Sequence, residues 1–156
     1  NLSTGTFKSK ALPPHSATLA IGGLGSNPPN TAEDFRLELE TLDRSSSGYT
    51  ASGGNAYINY NSPNSWGEYD GIEVGQTGNY DLILRYGSHW GGMDVTIKLG
   101  GQTVATFSNL PKTWSLTNFT ERTITNVTVP GGSNPALRVE VENGQVHLDY
   151  LEFKTR

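Results

Sequence analysis

The chain has 156 residues, with 15 Asp and Glu against 11 Lys and Arg, a formal net charge of -4, and no Cys. A single domain of this length buries roughly 68–70% of its unfolded surface and collapses without a disulfide or a metal. The lack of Cys excludes thiol catalysis, disulfides and Cys-ligated zinc or iron–sulfur sites. With no basic cluster, nucleic acid and anionic membrane surfaces are poor partners, and apolar runs of a few residues are too short for a membrane-spanning helix. Only 17% of residues are charged, so Asn, Ser, Thr, Gln and Gly supply the polarity, and 19 Gly with 8 Pro are too many for a helical bundle.

In chain order, residues 1–34 stand apart. Ser16–Ile21 has the pattern of a strand, and Gly22–Asn30 has that of a linker. From residue 36 period-2 alternation takes over: Arg36–Glu40, Ala56–Tyr60, Glu68–Val74, Tyr80–Tyr86, Val95–Leu99, Gln102–Phe107, Thr123–Val129, Leu137–Glu142 and Val146–Phe153 read as strands. Gly100-Gly101 between two of them predicts a hairpin with a primed turn, because both central residues need positive φ. Gly53-Gly54-Asn55, Gln76–Asn79, Pro130–Gly132 and Asn143-Gly144 mark further turns, and Thr31–Phe35 has room for at most one helical turn. This is an all-β chain, expected to form a β-sandwich of the jelly-roll type from two antiparallel sheets.

Catalytic patterns are weak. No Ser lies in a Gly-x-Ser-x-Gly elbow, and no Gly-rich turn opens a helix that would cradle phosphate. Glu68, Asp70 and Glu73 are close in sequence, but residue 73 faces away from 68 and 70 on a strand. Metal ligation has more support. Glu38 and Glu40 project from one face of the first strand, and Asp149 lies in the last; first and last strands are often neighbours in sandwiches. Three carboxylates suit a hard cation, Ca²⁺ before Mg²⁺, the alternative being exposed charge on an edge strand.

The chain has three Trp and seven Tyr. Tyr57, Tyr60, Trp66, Trp90 and Trp114 sit beside Gly, Asn, Ser or Pro rather than inside apolar runs. A sugar offers apolar C–H faces and many hydroxyls, so a glycan site needs flat rings and uncharged hydrogen-bonding groups. Trp114 in Leu110–Ser115 and Trp90 in Gly87–Gly92 are expected on exposed loops; the alternative is a ring that plugs a sheet edge.

Taken together, Leu37-Glu38-Leu39-Glu40, the stretch Ser65–Ser88 with Gly67-Glu68-Tyr69, Gly78-Asn79-Tyr80 and Leu84-Arg85-Tyr86, and the ending Gly144–Glu152 resemble, in order, the "E-x-E" opening, centre and "G-x-x-N-L-D-Y-I" close of family 6 and family 35 carbohydrate-binding modules. The resemblance covers about residues 35–154. It implies a structural Ca²⁺ held by Glu38, Glu40 and Asp149. It also implies a sugar cleft with Tyr57 and Trp114 as its aromatics, Trp90 as a side wall and Asn59 as a polar contact. His147 stands where the family usually has a sugar-binding Asn, a departure from the family's pattern, and is expected as a polar contact in its place. Leu12–Leu19 resembles the closing strand of an accessory β-sandwich in glycoside hydrolases, so residues 1–34 are expected either to end a preceding domain or to add a strand, with 35–156 as the binding sandwich.

The expected function is that of a non-catalytic, monomeric module from a secreted glycoside hydrolase. It would hold the covalently linked catalytic domain against a plant or algal polysaccharide such as galactan, xylan, an agarose-type chain or β-glucan. No leader is visible before Asn1, consistent with a piece of a longer or processed protein. The alternatives are a small jelly-roll lyase or hydrolase using Glu68 and Asp70, or His147 with a tyrosine, and a protein-binding adhesion sandwich. Sequons at Asn1, Asn118 and Asn126 barely favour a eukaryotic secreted source.

Overall fold

The computed structural model of the protein describes residues 33–59, 62–132 and 136–156. The readings made on residues 1–32 lie outside them. The strands are β1 (Phe35–Glu38), β2 (Arg44–Ser45), β3 (Tyr49–Ser52), β4 (Asn55–Ile58), β5 (Ser65–Tyr69), β6 (Gly78–Ser88), β7 (Met93–Leu99), β8 (Gln102–Leu110), β9 (Ser115–Val129), β10 (Leu137–Val141) and β11 (Val146–Thr155). One antiparallel sheet runs β3-β4-β11-β6-β9, with β1 also on β11; the other runs β2-β5-β10-β7-β8. No helix occurs among the described residues.

Alternation decides which side chains meet between the sheets. In β10, Leu137, Val139 and Val141 are buried while Arg138 and Glu140 face out; β7 repeats the pattern with Met93, Val95, Ile97 and Leu99 inside. Polar groups in this core are satisfied in a chain: the Tyr49 hydroxyl lies 2.9 Å from that of Tyr69, which donates to the Leu39 carbonyl at 2.6 Å. Burial pushes both phenols well above their ordinary value and keeps them neutral donors. The Gly100-Gly101 hairpin forms as its sequence predicts, with φ of 57° and 82°.

Several boundaries differ from the sequence reading. β5 starts at Ser65 and ends at Tyr69, because Gly71 turns the chain at a φ of 71° and leaves Val74 only a single bridge to Gly132. β1 stops at Glu38, so Glu40 lies in the turn where the Thr41 amide donates to the Glu38 carbonyl. β9 starts at Ser115, eight residues earlier than its apolar pattern, since it is a sheet edge whose Thr and Asn side chains face water. The short β2 and β3 carry no alternating pattern that marks them.

Two features position one end of the sandwich. The strand β11 pairs through Val146–Leu148 with β4 and through Tyr150–Phe153 with β1, with a register shift between Leu148 and Tyr150. On its other side it pairs with β6. At the top of β6, Gly87 lets β9 come close: a Cβ there would sit 2.5 Å from the Leu116 carbonyl oxygen.

Candidate functional site

Residues 62–64 and the connections 89–92, 111–114 and 142–145 gather at this end, tied by backbone bonds from Asn64 to Glu142 (2.9 Å), Gly92 to Leu110 (3.0 Å) and Thr113 to Ser88 (2.8 Å). On β4 and β11, Tyr57 and His147 alternate with buried Ala56, Ile58, Val146 and Leu148, so both rings stand on the outer face. They are register partners in edge-to-face contact, with centroids 5.2 Å apart. Gln145 donates its side-chain amide to the Tyr57 hydroxyl at 2.6 Å. Asn59, one outward step beyond Tyr57, is exposed, and its carbonyl accepts from Ser62 at 3.1 Å.

Among the described residues Trp114 and Trp90 are the exposed large hydrophobics, at 68% and 55% of their surface, which rules out a plug role for either ring. Trp114 adopts a φ of 68°, a left-handed conformation that costs a bulky residue roughly 1–3 kcal/mol and persists where surrounding bonds impose it. Those bonds are in place. Thr113 is buried, its hydroxyl accepts from the Ser88 amide at 2.8 Å, and its carbonyl accepts from the Asn118 side chain at 2.8 Å. The Lys112 ammonium lies 3.5 Å over the Trp114 ring, and the residue stays largely exposed. His89 links the two rings, with Nδ1 at 2.9 Å from the Trp114 carbonyl and its imidazole edge-on to Trp90 at 4.9 Å. Beyond Trp90 an uncharged groove of about 610 Å³ runs over Pro63, Met93, Asn143 and Gly144. Gln145, Lys112 and His89 have no motif of their own that marks them; only their place in loops beside aromatics does.

Catalytic carboxylates are not supported. Arg44 donates to Glu68 at 2.7 Å and to Asp70 at 2.6 Å, Arg138 also holds Glu68, and these guanidinium bonds keep both carboxyls below their usual range. Trp66 lies on the same outer face under the Arg138 guanidinium, 4.2 Å from its ring centre.

Where β11 passes from β4 to β1, the Leu39 amide donates to the Asp149 carbonyl at 2.8 Å. Here one Glu40 carboxylate oxygen is buried without a hydrogen-bond partner, a group that a hard cation satisfies. Asp149, however, is ion-paired with Arg85, and Glu38 is exposed. Among the described residues no three acidic, His or Cys side chains are arranged to hold a metal. Glu40 therefore fits the expected Ca²⁺, whereas Asp149 is already neutralised by a guanidinium.

The Nδ1 of His147 is buried without a hydrogen-bond partner, and desolvation holds the imidazole below its ordinary value. The unfolded chain then binds more protons than the native state, so stability falls as pH drops through the ordinary imidazole range near 6.5. Thermal midpoints measured from about pH 7.5 down to about 5.5 should fall less steeply in His147→Asn than in the wild type; equal slopes would contradict this assignment.

The profile of carbohydrate binding module family 6 matches residues 32–155. No curated protein sequence matches the chain. Among solved structures, the chain resembles the C-terminal family 6 module of a laminarinase from the marine Zobellia galactanivorans (TM-score 0.67, 22% identity, 79% of this chain and all of that one). A second is a module of Cellvibrio mixtus lichenase 5A in complex with cellotriose (TM-score 0.64, 20% identity, 78% and 97%). A third is a family 36 module in complex with calcium and xylotriose (TM-score 0.55, 17% identity, 77% and 99%). With a β-sandwich fold and a family profile that spans residues 32–155, the chain belongs to carbohydrate-binding module family 6.

Proposed function

We propose that this module binds a neutral polysaccharide at the loop end of the sandwich, with Trp114 and Tyr57 stacking on a sugar ring, Trp90 as a side wall, and His147 and Asn59 as polar contacts. The observation that carries this is the pair of open indoles, Trp90 and Trp114, beside the Tyr57–His147 pair on strands joined through one loop cluster. Burying an exposed indole face on the C–H face of a sugar removes apolar surface from water on both sides. The Gln145 and Asn59 amides and the His147 imidazole supply uncharged hydrogen-bonding groups that suit sugar hydroxyls, with the Lys112 ammonium beside Trp114. Galactan, xylan, agarose-type chains and β-glucan all meet this requirement.

A shallow site with two or three aromatics supports affinities in the millimolar-to-micromolar range, about 4–8 kcal/mol. That is sufficient for a module tethered to a catalytic domain of a secreted glycoside hydrolase, because the tether supplies effective concentration. Residues before Phe35 serve in this reading as the connection to that domain, and the module acts as a monomer. The Tyr57–His147 pair would be the machinery of a lyase, and no release of unsaturated or reducing ends is expected from it.

Affinity electrophoresis through gels carrying laminarin, cereal β-glucan, xylan, galactan or agarose tests the reading. Retardation by at least one polymer is expected, and Trp114→Ala should weaken it at least tenfold, about 1.4 kcal/mol or more, while the thermal midpoint stays within about 2 °C of the wild type. A fall of many degrees would contradict the assignment of Trp114 to ligand binding alone.

Calcium is proposed as a structural ion at the β1–β11 junction, held by Glu40 with Glu38 and Asp149, a role supported by the unpartnered Glu40 oxygen. Stripping with chelator should lower the thermal midpoint and added Ca²⁺ restore it, because an ion bound by the native state alone stabilises by mass action. A midpoint insensitive to Ca²⁺ in verified metal-free protein would leave Arg85 as the counter-charge of Asp149.

A further inference from the structure

Ser88 closes β6, and it is fully buried while His89 and Trp90, the next two residues, are exposed. Its backbone grips the 111–114 connection: the amide donates to the Thr113 hydroxyl at 2.8 Å, and the carbonyl accepts the Thr113 amide at 2.8 Å. Its side chain grips two more. The Ser88 Oγ lies 2.7 Å from the Trp90 carbonyl and 2.8 Å from the Gln145 carbonyl, and accepts the Trp90 amide at 3.3 Å. One residue thus touches the segments that carry Trp114, Trp90 and, through the Gln145 amide, the Tyr57 hydroxyl.

We infer that Ser88 is the positioning residue of the aromatic site, its hydroxyl setting the placement of Trp90 and Tyr57 while its backbone holds Trp114 in register. This rests on the glycan-binding reading and adds which residue makes that site rigid. A hydroxyl has a single proton, and two carbonyls stand within donation distance of it. Donation to the Trp90 carbonyl leaves the Gln145 carbonyl without this bond; donation to Gln145 leaves Trp90 held to the Ser88 Oγ through its amide alone. The two connections are therefore coupled through one rotor. Rings held before binding lose less freedom on binding, so the hydroxyl acts on affinity without touching the ligand.

Wild type, Ser88→Ala, Trp90→Ala and the double variant are to be compared by affinity electrophoresis on the laminarin, β-glucan, xylan, galactan and agarose gels, each first confirmed folded by its thermal midpoint. A residue that only stabilises the fold weakens binding by the same factor in either background, whereas one acting through Trp90 does not. Ser88→Ala should weaken retention at least tenfold in the wild-type background and by a factor at least threefold smaller where Trp90 is already Ala, the remainder being its action through Gln145 on Tyr57. Ser88→Cys keeps a donor at this position, weaker and somewhat larger than the hydroxyl, and should fall between; it also serves if the alanine variant does not fold. Retention of Ser88→Ala like wild type, or equal losses in both backgrounds, would overturn the inference. Absence of any retention of the wild type would remove the glycan-binding reading itself, and this inference with it.

Discussion

The pairing of β11 with β4, β1 and β6 is the constraint on which both the fold and the binding end depend. One side of this strand serves two partners in succession, β4 over Val146–Leu148 and β1 over Tyr150–Phe153, and the other side is occupied by β6. Because side chains alternate, a slip of one residue in β11 would turn Leu148 and Leu151 to solvent and His147 into the core. Correct register instead places Tyr57, His147 and Gly87 in one row across three strands. The residue at the change of partner, Asp149, is where β1 begins to pair, and its carbonyl is taken by Leu39. β1 is further fixed by the Arg36 guanidinium, 3.9 Å over the Tyr150 ring, whose phenol burial pushes up to about 12.

The two sheets present different chemistry to water. On the outer face of the sheet that lacks this row, Arg44, Glu68, Asp70, Arg138, Glu140 and Lys98 pair among themselves and cover Trp66. Exposed pairs of this kind contribute little to stability, about 0–1 kcal/mol each, but with Arg138 over it Trp66 is only part-exposed. At the loop end amides, hydroxyls and imidazoles stand near the indoles, and Lys112, Glu121 and Arg122 line the pocket beside Trp114. The strained backbone of Trp114 belongs to the same arrangement: bonds to Thr113 and Asn118 hold a conformation that only a fixed ring placement would reward.

Much of this is legible in the residues. The Gly100-Gly101 turn, the alternation of β7, β10 and β11, and the exposure of Trp90 and Trp114 arise from local chemistry that the environment does not override. Edge elements do not show themselves in the same way. In β9 the segment from Ser115 to Thr123 faces water on an edge, so selection for apolar residues is relaxed and period-2 patterning fades. Neither β2 nor β3 alternates, and β5 ends earlier than its alternation suggests because Ile72 and Val74 extend an apolar pattern past the Gly71 turn. At the site, Tyr57 and His147 are named through the family resemblance and their pairing comes from the β4–β11 register, whereas Gln145, Lys112, His89 and Ser88 act through contacts between connections distant in sequence. The position of Arg85 against Asp149 is hidden for the same reason: it depends on the β6–β11 register.

The central claim, that ligand is taken at the loop end rather than on a sheet face, is tested most directly by the three indole N–H resonances in a nitrogen-15 spectrum. The titrant is a soluble oligosaccharide prepared from a retarding polymer. Movement of the Trp114 and Trp90 signals, with Trp66 stationary, is the predicted result. A shift of Trp66 alone would put the ligand on the charged sheet face and contradict the account.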